Sequence, residues 1–147
     1  MKEHTTGSPE ETVELGRQLA SQLRAPMLVL LRGELGAGKT TLVKGIAEGF
    51  HAAKQEDVTS PTFTLVHEYR AAKVTLFHID LYRIDTQKEL DTLALDDLMN
   101  DDSILLIEWG EKFARFREER DVEIAIERAA ENERRISIKD QKLKATT

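Results

Sequence analysis

The chain has 147 residues and a formal net charge of −6, with 40% apolar and 33% charged residues, which suits one folded globular domain and excludes a disordered chain. The absence of cysteine excludes disulfides and thiolate metal sites, and the longest apolar runs, 27–31 and 104–107, are far too short to span a membrane. The acidic balance also argues against this domain gripping nucleic acid by itself, because phosphate backbones need clustered Lys and Arg.

Residues 1–9 are polar and show no secretory pattern, so a cytoplasmic, membrane-free protein is expected. The chain reads as a single domain over 1–147 with mobile ends, about 1–7 and about 141–147. Ser8-Pro9-Glu10-Glu11 predicts a helix start, with Ser8 as cap, Pro9 at the first helical position and Glu11 completing a capping box. Val13, Gly16, Leu19, Ala20 and Leu23 continue it at helical spacing until Pro26. The run 27–31 predicts a strand buried on both faces. A glycine-bearing turn over 33–38 leads into a helix over 39–50, followed by a polar loop over 51–61. Two strands are expected over 63–69 and 74–80 with a hairpin turn at 70–73, then a helix over 87–99. A second buried strand over 103–109, a charged helix over 111–120 and a strand pair over 121–127 and 134–139 complete the order.

The segment Gly33-Glu34-Leu35-Gly36-Ala37-Gly38-Lys39-Thr40 matches G-x-x-x-x-G-K-[ST] in full. Glycines let the backbone curl so that successive N–H groups point at phosphate oxygens. A helix that begins at the site adds its dipole. Lys39 supplies a point charge for the β and γ phosphates, and the Thr40 hydroxyl is placed to ligate Mg²⁺. No Asn-Lys-x-Asp string for reading guanine is present, which favours ATP.

Such a site needs a carboxylate at the end of a neighbouring strand. Asp80 and Glu108 both end apolar strands and are both candidates. Thr62, in Ser60-Pro61-Thr62, lies where switch loops reach a γ-phosphate, although the same residues also suit a plain strand start. Arg115, Arg117 and Arg120 suit a solvated helix face or a lid. His78 reads as an interior histidine, Arg83 as a surface or phosphate-contacting residue, and Trp109 as either core or site.

Four strings together resemble the bacterial TsaE (YjeE) family over about residues 8–140: Gly33-Glu-Leu-Gly-Ala-Gly-Lys-Thr-Thr41, Ser60-Pro-Thr-Phe-Thr-Leu65, His78-Ile-Asp-Leu-Tyr-Arg83 and Ile107-Glu-Trp-Gly-Glu111. The resemblance implies an α/β, P-loop NTPase-like three-layer fold with a mixed central sheet. It also implies an ATPase, slow alone, that forms ADP and drives turnover of TsaB and TsaD homologues in tRNA threonylcarbamoyladenosine formation, with tRNA met only through that complex. Residue by residue, it implies Lys39 and Thr40 at the phosphates, Glu108 as a Mg²⁺ ligand, Asp80 as the Walker B aspartate and Thr62 as a switch-like threonine. Glu34 to Gly38, Thr41 and the adjoining Trp109 border the nucleotide, and Thr12 and Arg135 lie near the base. Asp80 would orient either a water on the metal or the attacking water. Phe63 stands where the family often has tyrosine. Gly110 stands where some members have proline, which suggests a looser loop beside Glu108. A small-metabolite kinase and a non-hydrolysing nucleotide-dependent assembly sensor are the alternative functions.

Overall fold

In the computed structural model, which describes residues 2–140, the elements run β1 (Lys2–Thr6), α1 (Pro9–Ala20), β2 (Met27–Arg32), α2 (Lys39–Gly49), β3 (Val66–Arg70), β4 (Thr75–Asp80), α3 (Gln87–Thr92), β5 (Ser103–Glu108), α4 (Ala114–Glu119), β6 (Val122–Arg128) and β7 (Arg134–Asp140). The strands form one seven-stranded mixed sheet in the order β1-β7-β6-β2-β5-β4-β3. The strands β6, β2, β5 and β4 run parallel, and antiparallel strands flank them on both sides.

The apolar runs become β2 and β5 at the centre. Side chains alternate along a strand, so Met27, Val29 and Leu31 join the core under α1 and α2, while Leu28 and Leu30 join a second core with Phe113 and Phe116. The sheet therefore lies between two helical layers, a mixed α/β architecture as the resemblance implies. No helix among the described residues is long and apolar enough to cross a membrane.

Two glycines fix the spacing of α1 and α2. A Cβ on Gly45 would stand 2.0 Å from the Val13 carbonyl oxygen, and one on Gly16 would stand 2.5 Å from that of Leu42. The Ser8 hydroxyl caps α1 by accepting from the Glu11 amide at 3.1 Å. The Glu11 carboxylate accepts from the Gly7 amide at 3.0 Å, one residue outside a standard capping box.

Several expectations are corrected. The segment expected to be a mobile start forms β1, because β7 has an open edge whose N–H and C=O groups find partners in Lys2–Thr6. The expected tail after Asp140 lies outside the described residues. The helix expected over 87–99 ends after Thr92, and Ala94 turns left-handed at φ 49° before a 3₁₀ turn over Leu95–Leu98. Leu90 and Leu95 are both buried. On one straight helix, residues five apart point about 140° away from each other, so the break lets both reach the same core. The charged helix also divides, into a 3₁₀ turn over Gly110–Lys112 and α4, which buries both Phe113 and Phe116.

Candidate functional site

Alternation along β4 and β5 decides which side chains meet. Leu76 and His78 precede Asp80 on one face of β4, and Ile104 and Leu106 precede Glu108 on one face of β5. Leu76, Ile104 and Leu106 belong to the core beneath α2, so His78, Asp80 and Glu108 face that helix as well. Parallel pairing sets His78 beside Leu106, Asp80 beside Glu108, and Leu31 of β2 beside Glu108. Both candidate acids thus stand at the carboxyl edge of the sheet, next to the strand that feeds the glycine loop. That is where ligands bind in open α/β sheets.

The loop turns through Gly36 at φ 80° and Gly38 at φ 109°, left-handed conformations that suit glycine. Gly38 caps α2, whose first residues are Lys39, Thr40 and Thr41. Lys39 folds back across the loop. Its Nζ donates to the Gly33 carbonyl oxygen at 2.5 Å, lies 3.5 Å from Glu108 Oε1 and sits 4.6 Å above the Trp109 ring. The Glu108 carboxylate also accepts from His78 Nε2 through its other oxygen. Burial alone pushes the Glu108 carboxyl upward, but the His78 hydrogen bond and the Lys39 charge prevail, and it is held below its ordinary value as an anion.

Asp80 is buried and committed to other partners. Its Oδ1 accepts from the Tyr82 amide at 2.9 Å, and its Oδ2 accepts from Thr62 Oγ1 at 3.3 Å. The strand expected from Phe63 therefore begins only at Val66. The intervening residues turn, with Leu65 N bonded to the Pro61 carbonyl at 2.7 Å and Leu65 at φ 70°, and this turn carries Thr62 to Asp80. Phe63 is left exposed under the Arg83 guanidinium, 4.6 Å from its ring centroid.

The strand expected to run through Trp109 ends at Glu108, because Trp109 takes φ 64°. Its ring lies 5.2 Å from that of Tyr82, so it is both a packing residue and a wall of the Lys39 site. Gly110 does not loosen the loop, contrary to expectation. A Cβ there would stand 2.7 Å from Leu30 Cδ2, so the missing side chain lets the turn press against β2.

Glu34, Leu35, Gly36 and Ala37 line a cleft of about 490 Å³ with Ile126 and Arg128. Thr12 borders a smaller cleft of about 60 Å³ with Ser8, Gly38, Thr41, Asn132 and Arg134. Arg135, in contrast, pairs with Glu127 at 2.9 Å on the opposite face of β7. Arg134 is the residue that reaches the loop, through a 2.8 Å bond from Nε to the Ala37 carbonyl oxygen. Sequence reasoning missed it, since period-two alternation separates adjacent arginines without telling which one faces the site. Arg115 is paired with Asp96 and Glu119, and Arg120 lies 3.2 Å from Glu123, so these arginines are engaged at a helix surface rather than over the loop.

The oxygen donors fit a hard divalent cation. Mg²⁺ takes one or two carboxylates and completes its shell with water and phosphate. Glu108 Oε1 faces the loop, Asp80 stands beside it in register, and Thr40 lies in the first turn of α2.

The family model described as "Threonylcarbamoyl adenosine biosynthesis protein TsaE" matches residues 6–136. Proteins named "tRNA threonylcarbamoyladenosine biosynthesis protein TsaE" are similar along much of the chain. The one from Aquifex aeolicus is 37% identical over 138 residues, covering 94% of this chain and 96% of its own length. That of Bacillus subtilis is 36% identical over 132 residues, covering 90% and 81%. That of Haemophilus influenzae is 45% identical over 101 residues, 69% of this chain but only 63% of that protein, so the match spans less than two thirds of that relative. The crystal structure of Bacillus subtilis YdiB superposes with a TM-score of 0.72 at 31% identity, covering 95% of this chain and 84% of that one.

Proposed function

The chain belongs to the TsaE family of threonylcarbamoyl adenosine biosynthesis proteins, and on that premise we propose that it is a Mg-dependent ATPase that drives a TsaB–TsaD pair through repeated rounds of tRNA modification. The observation that carries this reading is the meeting of Lys39 with Glu108, 3.5 Å apart where the glycine loop leaves β2, with Asp80 in register beside Glu108.

When ATP enters, Lys39 exchanges the Gly33 carbonyl for phosphate oxygens, and the backbone amides of 34–40 supply the remaining donors. A bound Mg²⁺, held by Thr40 and Glu108 with Asp80 beside them, would neutralise charge on the β and γ phosphates. Asp80 orients the attacking water, and Thr62, already bonded to Asp80, senses the γ-phosphate. Water oxygen bonds to the γ-phosphorus, the bond to the bridging oxygen breaks, and ADP and phosphate leave. Catalysis is positioning and electrostatic stabilisation. A site that awaits a partner's group turns over slowly alone. The acidic chain meets tRNA only through its partners, in the cytoplasm.

The test is a reconstituted mixture of TsaB, TsaD, tRNA and either wild-type protein or Lys39→Ala. The wild type should sustain many rounds of threonylcarbamoyl transfer and hydrolyse ATP faster with the partners present, whereas Lys39→Ala should do neither. Equal numbers of rounds with both proteins would remove nucleotide cycling as the driver.

A further inference from the structure

His78 is a buried polar residue that the mechanism above leaves unused. It is 0% exposed, and its neighbours Leu76 and Leu106 are core residues. A polar ring at such a position costs free energy unless its hydrogen bonds are made. One of them is made, from Nε2 to Glu108 Oε2, while Nδ1 has no partner among the described residues. The carboxylate can only accept, so Nε2 carries the hydrogen.

The other partner of Glu108 is Lys39, a point charge on a flexible stem that, on the proposed function, would turn toward phosphate. The histidine bond is directional and comes from a ring locked in the core, so it persists when the lysine leaves. Partners of this kind orient the residues that ligate a metal.

We propose that His78 is a positioning residue, which donates to Glu108 Oε2 and so holds Oε1 turned toward the phosphate loop before nucleotide and cation arrive. The inference rests on the proposed reading of Glu108 as a Mg²⁺ ligand.

Two measurements test it. The first follows ADP binding by calorimetry as Mg²⁺ is varied, for wild type, His78→Leu, His78→Gln, Glu108→Ala and the double variant His78→Leu/Glu108→Ala. His78→Leu should raise the Mg²⁺ concentration for half-maximal binding about tenfold or more. His78→Gln should restore it, since the glutamine amide nitrogen reaches the place of Nε2. Adding His78→Leu to Glu108→Ala should change nothing further. The second measurement is ¹⁵N NMR of the histidine rings in the nucleotide-free wild type, where His78 should carry its hydrogen on Nε2, and it holds even if His78→Leu does not fold. A hydrogen on Nδ1 alone overturns the proposal. So does a His78→Leu titration unchanged while Glu108→Ala shifts, or a His78→Leu effect equally large without Glu108. If Glu108→Ala itself leaves the Mg²⁺ dependence intact, the metal reading of Glu108 falls and the role of His78 falls with it.

Discussion

Lys39 and Glu108 meet 3.5 Å apart at the carboxyl edge of the sheet, with side chains only 6% and 5% exposed. Each makes the burial of the other tolerable. The lysine ammonium has three rotatable donors, and the carboxylate and the Gly33 carbonyl engage it. On the proposed reading, phosphate entry would exchange these partners rather than create a charge site from nothing.

Lys39→Ala removes the phosphate counter-charge and leaves the backbone cradle. ATP affinity should fall by roughly one to two orders of magnitude, the worth of a charge-assisted bond. Circular dichroism should show the fold retained, because His78 still holds Glu108. Unchanged affinity by calorimetry in a folded variant would falsify the phosphate-loop assignment.

Trp109 should report occupancy. The Lys39 ammonium lies 4.6 Å above its ring, and the Tyr82 ring lies 5.2 Å away. Binding that draws Lys39 toward phosphate changes the field at the indole. The emission of this sole tryptophan should therefore shift in a Mg·ADP titration, and the shift should be lost in Lys39→Ala. A flat titration, with binding shown independently, would detach Trp109 from the nucleotide.

The central strands and the loop were legible because their signals are local: apolar runs over 27–31 and 104–107, and the glycine-lysine-threonine string. The two acids were legible as strand ends. Their pairing partners were not, since His78 lies thirty residues from Glu108 and Thr62 eighteen from Asp80, and only the sheet register joins them. β1 was illegible because Lys2-Glu-His-Thr-Thr6 is polar and becomes a strand only through the open edge of β7. The break at Ala94 follows from the competing burial of Leu90 and Leu95, a tertiary demand that helical spacing does not record.

Gly45→Ala should be one of the more damaging single-methyl changes in the chain. Its Cβ would meet the Val13 carbonyl oxygen at 2.0 Å, so α1 must move off the helix that carries Lys39 and Thr40. A loss near the upper end of the usual overpacking cost, about 3 kcal/mol, is expected in chemical denaturation. Gly36→Ala has no atom within 4 Å and suffers only from its φ of 80°. It should cost about 1–2 kcal/mol. If Gly45→Ala proves no worse than Gly36→Ala, the close crossing of the helices is not what holds α2 in place.

The two acids should fail differently because their partners differ. Glu108 faces the loop through Oε1 and is backed by His78, whereas Asp80 is bonded to the Thr62 hydroxyl and the Tyr82 amide. Glu108→Ala should weaken the Mg²⁺ dependence of nucleotide binding while leaving Thr62 on Asp80. Asp80→Ala should bind ATP within a few-fold of wild type yet hydrolyse it at least about a hundredfold more slowly, the lower end of the loss expected when a positioned acid–base group is removed. Thr62→Val removes one bond to the same carboxylate and should reproduce a milder form of the Asp80 defect, with affinity again preserved. Equilibrium binding and single-turnover hydrolysis on the three variants separate these outcomes. Matching losses of Mg²⁺ dependence and of turnover in Glu108→Ala and Asp80→Ala would mean that the paired acids act as one metal cradle, and the assignment of water orientation to Asp80 would have to be withdrawn.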